Sequence, residues 1–262
     1  MKTMPKTALT LAAAAALSTG VMASAHAAPT QTTSPGGRVL QIHQAASKST
    51  AAKVTPKIIG GTSTTSPYIV QLVFGQSGGT YGCTGEAISA NWVLTAQHCI
   101  DGTDWMDVYY SNSTSNPGTP VAADEVYGSS YGDVALVHLS TAKSVSTYGS
   151  LATSYTAKAG DAGTIYGYGL RANQQQSTGL YKATVNVLGA STDAYNGKAV
   201  HVQGVNGASN HGDSGGPLIV GGKIVGVCST GDQADPGSNI NATSNYANLT
   251  ASRSWIKSTS GV

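Results

Sequence analysis

An all-β fold is what this sequence predicts, and three observations predict it. Glycine is abundant at 33 of 262 residues, phenylalanine occurs once, and only 10% of residues are charged, which suits a loop-rich β protein better than a helical one. Apolar and β-branched residues recur in short blocks, too plentiful for a disordered chain. Gly, Ser, Asn or Pro punctuates most gaps between the blocks, a spacing that favours a sandwich or barrel over alternating strand–helix units.

Taken in order, the elements begin with a targeting segment. Lys2 and Lys6 give a basic start, ALTLAAAAALSTGVMA supplies an apolar stretch, and Ala25-His26-Ala27 is an A-x-A cleavage pattern. Residues 1–27 therefore read as a secretory signal peptide cut after Ala27, and the protein is expected to be extracellular. The apolar stretch is short and carries Ser18, Thr19 and Gly20, which argues against a retained anchor, and no membrane partner is expected. Residues 28–57 are rich in Thr, Ser, Pro, Ala and Lys with no strong period, and read as a propeptide. From Lys57 the character changes, and residues 58–262 form the expected folded unit.

Strands are expected at 68–74, 86–89, 92–95, 107–110, 134–139, 162–166, 181–187, 217–220 and 223–228, from β-branched and aromatic residues bounded by turn formers. Leu249, Ser252, Arg253 and Ile256 then fall at helical spacing, with Trp255 beside them, so 249–259 reads as a short helix laid on the body by its apolar stripe.

Six of the fourteen Lys and Arg residues lie in 1–57, which has no Asp or Glu; the other eight face twelve acids, so the later part carries −4 although the whole carries +2. No clustered basic surface remains there, which speaks against a nucleic-acid partner. The three cysteines, Cys83, Cys99 and Cys228, permit a disulfide in a secreted chain and leave an odd one over. No Cys/His/acid cluster has zinc spacing and no loop has calcium-loop form, so neither metal nor cofactor is expected.

The chemistry centres on Gly212-Asp213-Ser214-Gly215-Gly216. This satisfies G-x-S-x-G, but the elbow that uses that motif needs a histidine later in the chain. The histidines stand at 26, 43, 98, 138, 201 and 211, and none follows Ser214. The opposite order is available. Trp92–Thr95 runs into His98 and Cys99, and Asp133 opens another apolar run. A serine hydroxyl is a weak nucleophile that needs an adjacent base; His98 can take its proton, and Asp133 can hold the imidazole in the right tautomer.

The segments IIGG (58–61), LTAQHC (94–99), DVAL (133–136) and GDSGGPL (212–218), in this order, resemble the chymotrypsin/trypsin family of serine endopeptidases, over about 58–262. The resemblance implies two six-stranded antiparallel β-barrels packed perpendicular, a C-terminal helix and an active site in the cleft between the barrels. It maps His98 to the base, Asp133 to its orienting carboxylate, Ser214 to the nucleophile, and the backbone N–H groups of Gly212 and Ser214 to the oxyanion hole. It implies activation by cleavage between Lys57 and Ile58, with the new Ile58 ammonium paired to Asp213, and so an activating protease as a partner. It implies a Cys83–Cys99 disulfide beside the histidine. The family's other common bridge would need a cysteine at Asn210, so Cys228 is expected as a free, buried side chain.

The same resemblance puts the base of the specificity pocket at Ala208, where a neutral residue offers no counter-charge to a buried cation; an uncharged side chain at the cut position is therefore favoured. Ser229-Thr230-Gly231 would pair with substrate backbone, although the family usually has an aromatic residue at Thr230. Ser244 would narrow the pocket, and Asp232 near the rim leaves basic specificity open. Protein or peptide substrates and a monomeric enzyme are expected. An esterase or acyltransferase with the same triad, or a catalytically weak binding homologue, are the alternatives. His138 reads as structural, His201 as a surface or loop residue, His211 as a residue at the pocket's lip, and TIYGYGLR as a turn near a strand.

Overall fold

The computed structural model describes residues 37–41 and 58–262. The expected signal peptide at 1–27 and Lys57 lie outside the described residues. Three short strands come first: β1 (Arg38–Val39), β2 (Ile59–Gly60) and β3 (Thr62–Ser63). Six more form the first barrel: β4 (Ile69–Gln76), β5 (Gly79–Ala87), β6 (Trp92–Thr95), β7 (Thr103–Tyr109), β8 (Val121–Gly128) and β9 (Ala135–Leu139). They pair in the order β8-β7-β4-β5-β6-β9, and β8 pairs again with β9 to close the ring. The second barrel holds β10 (Ala162–Gly167), β11 (Tyr181–Thr192), β12 (Lys198–Gly204), β14 (Pro217–Val220), β15 (Lys223–Gly231) and β16 (Thr243–Asn248), closed by β10 on β11. The two-residue β13 (Gly207–Ala208) pairs with β2. Two closed six-stranded antiparallel barrels are thus as expected, and closure removes the sheet edges that would otherwise invite aggregation.

Side-chain alternation drives each barrel. Along β11, Ala183, Val185 and Val187 point inward, while Thr184, Asn186 and Leu188 face solvent, the period of two that a half-buried strand requires. One core fills the first barrel around Val70, Leu72, Phe74 and Met106. Another fills the second around Ile165, Val185, Val200 and Tyr246. A third joins Leu94 and Leu136 of the first barrel to Val227 and Ala247 of the second, with Leu249 and Ile256 from the tail.

The structure departs from the sequence reading in places where apolar alternation is weak. β5 begins at Gly79, well before the expected Glu86, because a tight turn at Ser77 (φ 50°) and Gly78 (φ 79°) folds it back on β4. β8, β12 and β16 were not expected. β16, TSNYAN, is a polar strand, and in β8, VAADEVYG, the Asp-Glu pair interrupts the apolar alternation, so pairing rather than pattern selects both. The expected helix at 249–259 divides into a 3-10 turn, Leu249–Ser252, and α1 (Arg253–Ser260), which ends at Gly261 in a left-handed conformation. Within the segment read as a propeptide with no strong period, Arg38–Val39 pairs with β8.

Candidate active site

β6 delivers the histidine. The strand ends at Thr95, and a 3-10 turn over Gln97–Cys99 lifts His98 out of the barrel wall. A disulfide from Cys99 to Cys83 on β5 fastens this turn. The His98 Nδ1 lies 2.7 Å from Asp133 Oδ2, and the His98 backbone N–H donates to Asp133 Oδ1 at 2.9 Å. The Ser229 hydroxyl donates to Asp133 Oδ2 at 2.6 Å. Asp133 is fully buried, whereas the His98 side chain keeps 32% of its surface exposed. Burial alone would raise the Asp133 pKa, but the charge and hydrogen bond of His98, with the Ser229 hydroxyl and the His98 amide, hold it below the usual carboxylate value. At His98 burial disfavours the cation, yet the charge and hydrogen bond of Asp133, helped by Asp101, raise the imidazole pKa above its ordinary value.

A hairpin tip of the second barrel supports this carboxylate. Asp193 accepts from the Asp133 N–H at 3.0 Å and from the amides of Tyr195 and Gly197 at 2.9 and 2.8 Å. Gly132 is required there, since its φ is 129° and a Cβ would lie 2.4 Å from Asp193 Oδ2. The Tyr195 hydroxyl donates to Asp101, behind His98.

The loop of Ser214 comes from the other barrel, just before β14. The Asp213 amide turns inward to the Asn210 carbonyl (3.1 Å), and the Gly216 amide bonds the Asp213 carbonyl (2.8 Å). Gly212 takes φ +82°. The amides of Gly212 and Ser214 have no partner among the described residues. The loop is fastened to the first barrel: the Thr84 amide donates to the Ser214 carbonyl at 2.8 Å, and the Thr84 hydroxyl to the Gly212 carbonyl at 3.0 Å. Gly215 packs so closely on the strand before His98 that a Cβ would stand 2.0 Å from Thr95 Oγ1 and 2.9 Å from the Ala96 nitrogen. The serine loop and the histidine turn are therefore neighbours in space.

Asp213 is completely buried, and accepts from the amides of Gly169 (2.6 Å) and Asn210 (2.9 Å). It has no cationic partner among the described residues, and burial pushes its pKa well up despite these two amides. Gly167 and Gly169 make room for it; a Cβ at Gly169 would fall 2.0 Å from Asp213 Cγ. The Ile58 side chain is fully buried in the second barrel's core, and β2 pairs Ile59 with Ala208.

Ala208 and Ser244 are buried at 2% and 3% exposure. On β15, Thr230 and Gly231 pair with Asn245 and Ser244 of β16, while β14 pairs only with residues up to Val227, so the other edge at 229–231 has no strand partner among the described residues. Asp232 is engaged by His201 (2.7 Å), Thr243 (2.6 Å) and Asn245 (2.8 Å). His211 bonds the Ala234 carbonyl at 2.8 Å, and His138 bonds Asp124 at 2.7 Å and packs edge-on against Trp92. Cys228 is free and buried, as expected; burial first, then the Asp213 charge, pushes its thiol up to about 12. Among the described residues, the one His/Cys/acid group close enough to share an ion is Cys83, His98 and Cys99, and its two cysteines are joined to each other.

Sequence reasoning missed Thr84, Asp193, Gly167 and Gly169. It also read Ser229 through its backbone alone, and gave no role to its side chain, which donates to Asp133. The only trace of these in sequence was G-x-G in TIYGYGLR and a threonine beside Cys83. Both gain meaning from contacts with a loop more than forty residues away.

The trypsin family model, described as Trypsin, matches residues 58–256. Trypsin alpha of Drosophila melanogaster is 29% identical over 227 residues, covering 78% of this chain and 87% of that protein. An uncharacterized peptidase of Corynebacterium glutamicum is 32% identical over 177 residues, covering 65% and 60%. Trypsin I-P1 of Gallus gallus is 28% identical over 234 residues, covering 78% and 89%.

Proposed function

The chain belongs to the trypsin family of serine peptidases, and from that premise we propose that it is a secreted endopeptidase working through an acyl-enzyme, with His98, Asp133 and Ser214 as its triad. Ser214 Oγ attacks the scissile carbonyl. His98 takes its proton at Nε2, because Nδ1–H is committed to Asp133, and returns it to the leaving amine. Asp133 stays ionised, held by three donors, and stabilises the imidazolium. The free amides of Gly212 and Ser214 receive the negative charge that develops on the carbonyl oxygen. Water then hydrolyses the acyl-enzyme by the same base. The observation that carries this reading is a buried, triply bonded Asp133 beneath a partly exposed His98, next to a serine loop with two amides unpaired among the described residues.

Residues 1–27 serve as the signal and 28–57 as the propeptide of this reading, with 58–262 as the protease domain. No helix among the described residues is long and apolar enough to cross a membrane. Cleavage after Lys57 by a trypsin-like activator frees the Ile58 ammonium for Asp213. Supporting this are the buried Ile58 side chain and a buried carboxylate without a cation among the described residues, a costly state that an ammonium relieves. An uncharged residue at the cut position follows from the neutral Ala208, and from an Asp232 already engaged by three side chains. Substrate backbone pairs with the open edge at Ser229–Gly231, and the enzyme acts as a monomer.

The test is mass spectrometry of a peptide library digested by protein beginning at Ile58, beside a Ser214→Ala control and simple esters. Peptide cuts after uncharged residues, lost in the control, are expected. Ester hydrolysis without any peptide cleavage would overturn the endopeptidase reading.

A further inference from the structure

Residues Gly37–Gln41 occupy a seam in the first barrel. β7 and β8 pair only at Asp107–Ala122 and Val108–Val121, which leaves the rest of both strands without each other. β1 enters there. Arg38 pairs with Val126 and Val39 with Glu125 on β8. The Leu40 amide donates to the Asp124 carbonyl at 2.7 Å, and the Gln41 amide crosses to the Asp104 carbonyl of β7 at 3.0 Å. The segment thus satisfies backbone groups of both strands.

Leu40, Gly37 and Arg38 make the contacts of this segment, while the Val39 side chain stays 73% exposed. Leu40 is 4% exposed and belongs to the first barrel's core. Gly37 lies against Tyr127, where a Cβ would stand 2.2 Å from the ring. The Arg38 guanidinium donates to the carbonyls of Ile100 and Thr103, directly after the turn that carries His98. The same stretch is also held by the Thr103 hydroxyl on the Cys99 carbonyl at 3.2 Å, by Gln76 Nε2 on the Asp101 carbonyl and by the Cys83–Cys99 disulfide.

We propose that Gly37–Gln41 is a docking peptide for this seam, which fills the gap where β7 and β8 part, braces the His98 turn through Arg38, and stays bound after cleavage at Lys57. The docking stands without the peptidase reading; its retention after cleavage rests on the activation step proposed above.

Hydrogen exchange by mass spectrometry on the full-length chain carrying Ser214→Ala tests the docking. Protection of the Leu40 and Gln41 amides by roughly tenfold or more over free-peptide rates is expected, and Leu40→Asp should remove it. Arg38→Ala should speed exchange across 97–103 while strands of the second barrel are unchanged. If Leu40→Asp unfolds the chain, seen as fast exchange in the second barrel, Leu40→Ala replaces it and should cost roughly tenfold in protection. Free-peptide rates at Leu40 and Gln41 in the parent protein would overturn the proposal. Digestion with a lysine-specific protease, which spares Arg38, followed by gel filtration, tests retention. The fragment containing Gly37–Gln41 should elute with the protein beginning at Ile58, and its loss would overturn that part. Both readouts use protein without Ser214, so their failure leaves the peptidase reading untouched.

Discussion

The Thr84 hydroxyl lies 3.0 Å from the Gly212 carbonyl oxygen and accepts a hydrogen bond from the Tyr168 amide at 3.2 Å. A side chain of the first barrel thereby sets the orientation of a peptide unit beside the proposed oxyanion hole in the second. Thr84→Val keeps the shape and removes the hydroxyl, leaving the Gly212 carbonyl and a buried amide short of a partner. A kcat about tenfold lower with little change in KM is expected, since a hydrogen bond of this kind contributes roughly 1 kcal/mol. Thr84→Ser should restore most of it. Steady-state kinetics on a peptide substrate decide; equal loss in the serine variant would refute the positioning role.

The Asp133–His98 pair predicts the acid side of the pH profile. Catalysis needs neutral His98, and its pKa is raised by Asp133. Activity should therefore rise with pH through a midpoint above about 6.5. Asp133→Asn removes the charge, so the midpoint should move down while kcat falls by about four orders of magnitude. Measurement of kcat/KM against pH for both proteins checks the sign; an unmoved midpoint would contradict it.

Glu86 is fully buried on β5, and neither carboxyl oxygen has a hydrogen-bond partner among the described residues. Burial pushes its pKa well above the ordinary value. Between the unfolded pKa and this raised value the folded state binds more protons than the unfolded one, so stability falls as pH rises from about 4.3. Glu86→Gln removes that linkage. At pH 7 it should raise Tm by roughly 2–4 °C per kcal/mol relieved, with no gain below about pH 4, where Glu86 is protonated in both states. Calorimetry at the two pH values is the check, and an equal shift at both would show that ionisation is not the cause.

The Cys83–Cys99 disulfide closes a loop with a sequence separation of 16 that contains the whole of β6 and His98. Replacing both cysteines with alanine should cost about 3 kcal/mol, or roughly 6–12 °C in Tm. Activity below the new Tm should fall as well, because Cys99 ends the histidine turn. Thermal melts with and without reductant, on the parent and the double variant, measure it; melts insensitive to both changes would exclude a stabilising role.

Gly169→Ala places a methyl group 2.0 Å from Asp213 Cγ. The carboxylate must move, and the Ser214 loop with it. Labelling of Ser214 by a fluorophosphonate should slow about tenfold or more, since overpacking of this kind costs on the order of 1–3 kcal/mol. Unchanged labelling would mean that the loop tolerates displacement of Asp213.

Much of this was legible in the chain. Ser214, His98 and Asp133 stand in short motifs whose chemistry needs those residue types, and β4, β6, β9, β11 and β15 announce themselves by β-branched runs. β8 and β16 did not, because an Asp-Glu pair in β8 and a polar composition in β16 break the apolar alternation, and their neighbours select them. Arg38–Val39 was hidden for the same reason, being too short to show a period and ordered by the seam it enters. Asp193 carried no local sign, and Thr84 none beyond its place beside Cys83. Each acts through a hydrogen bond to a residue far away in sequence, Asp193 to Asp133 and Thr84 to Gly212.

By itself the sequence determined the β class, the membership of each residue in a reactive motif, and the order in which base, carboxylate and nucleophile appear, because these are properties of local pattern and side-chain chemistry. Only the tertiary structure decided which groups hold Asp133, what fastens the Gly212 loop, and where Arg38 docks. Those contacts join segments from different parts of the chain. A hydrogen bond of about 3 Å across such a distance arises when packing of already folded strands brings the two segments together, and no pattern within either segment encodes it.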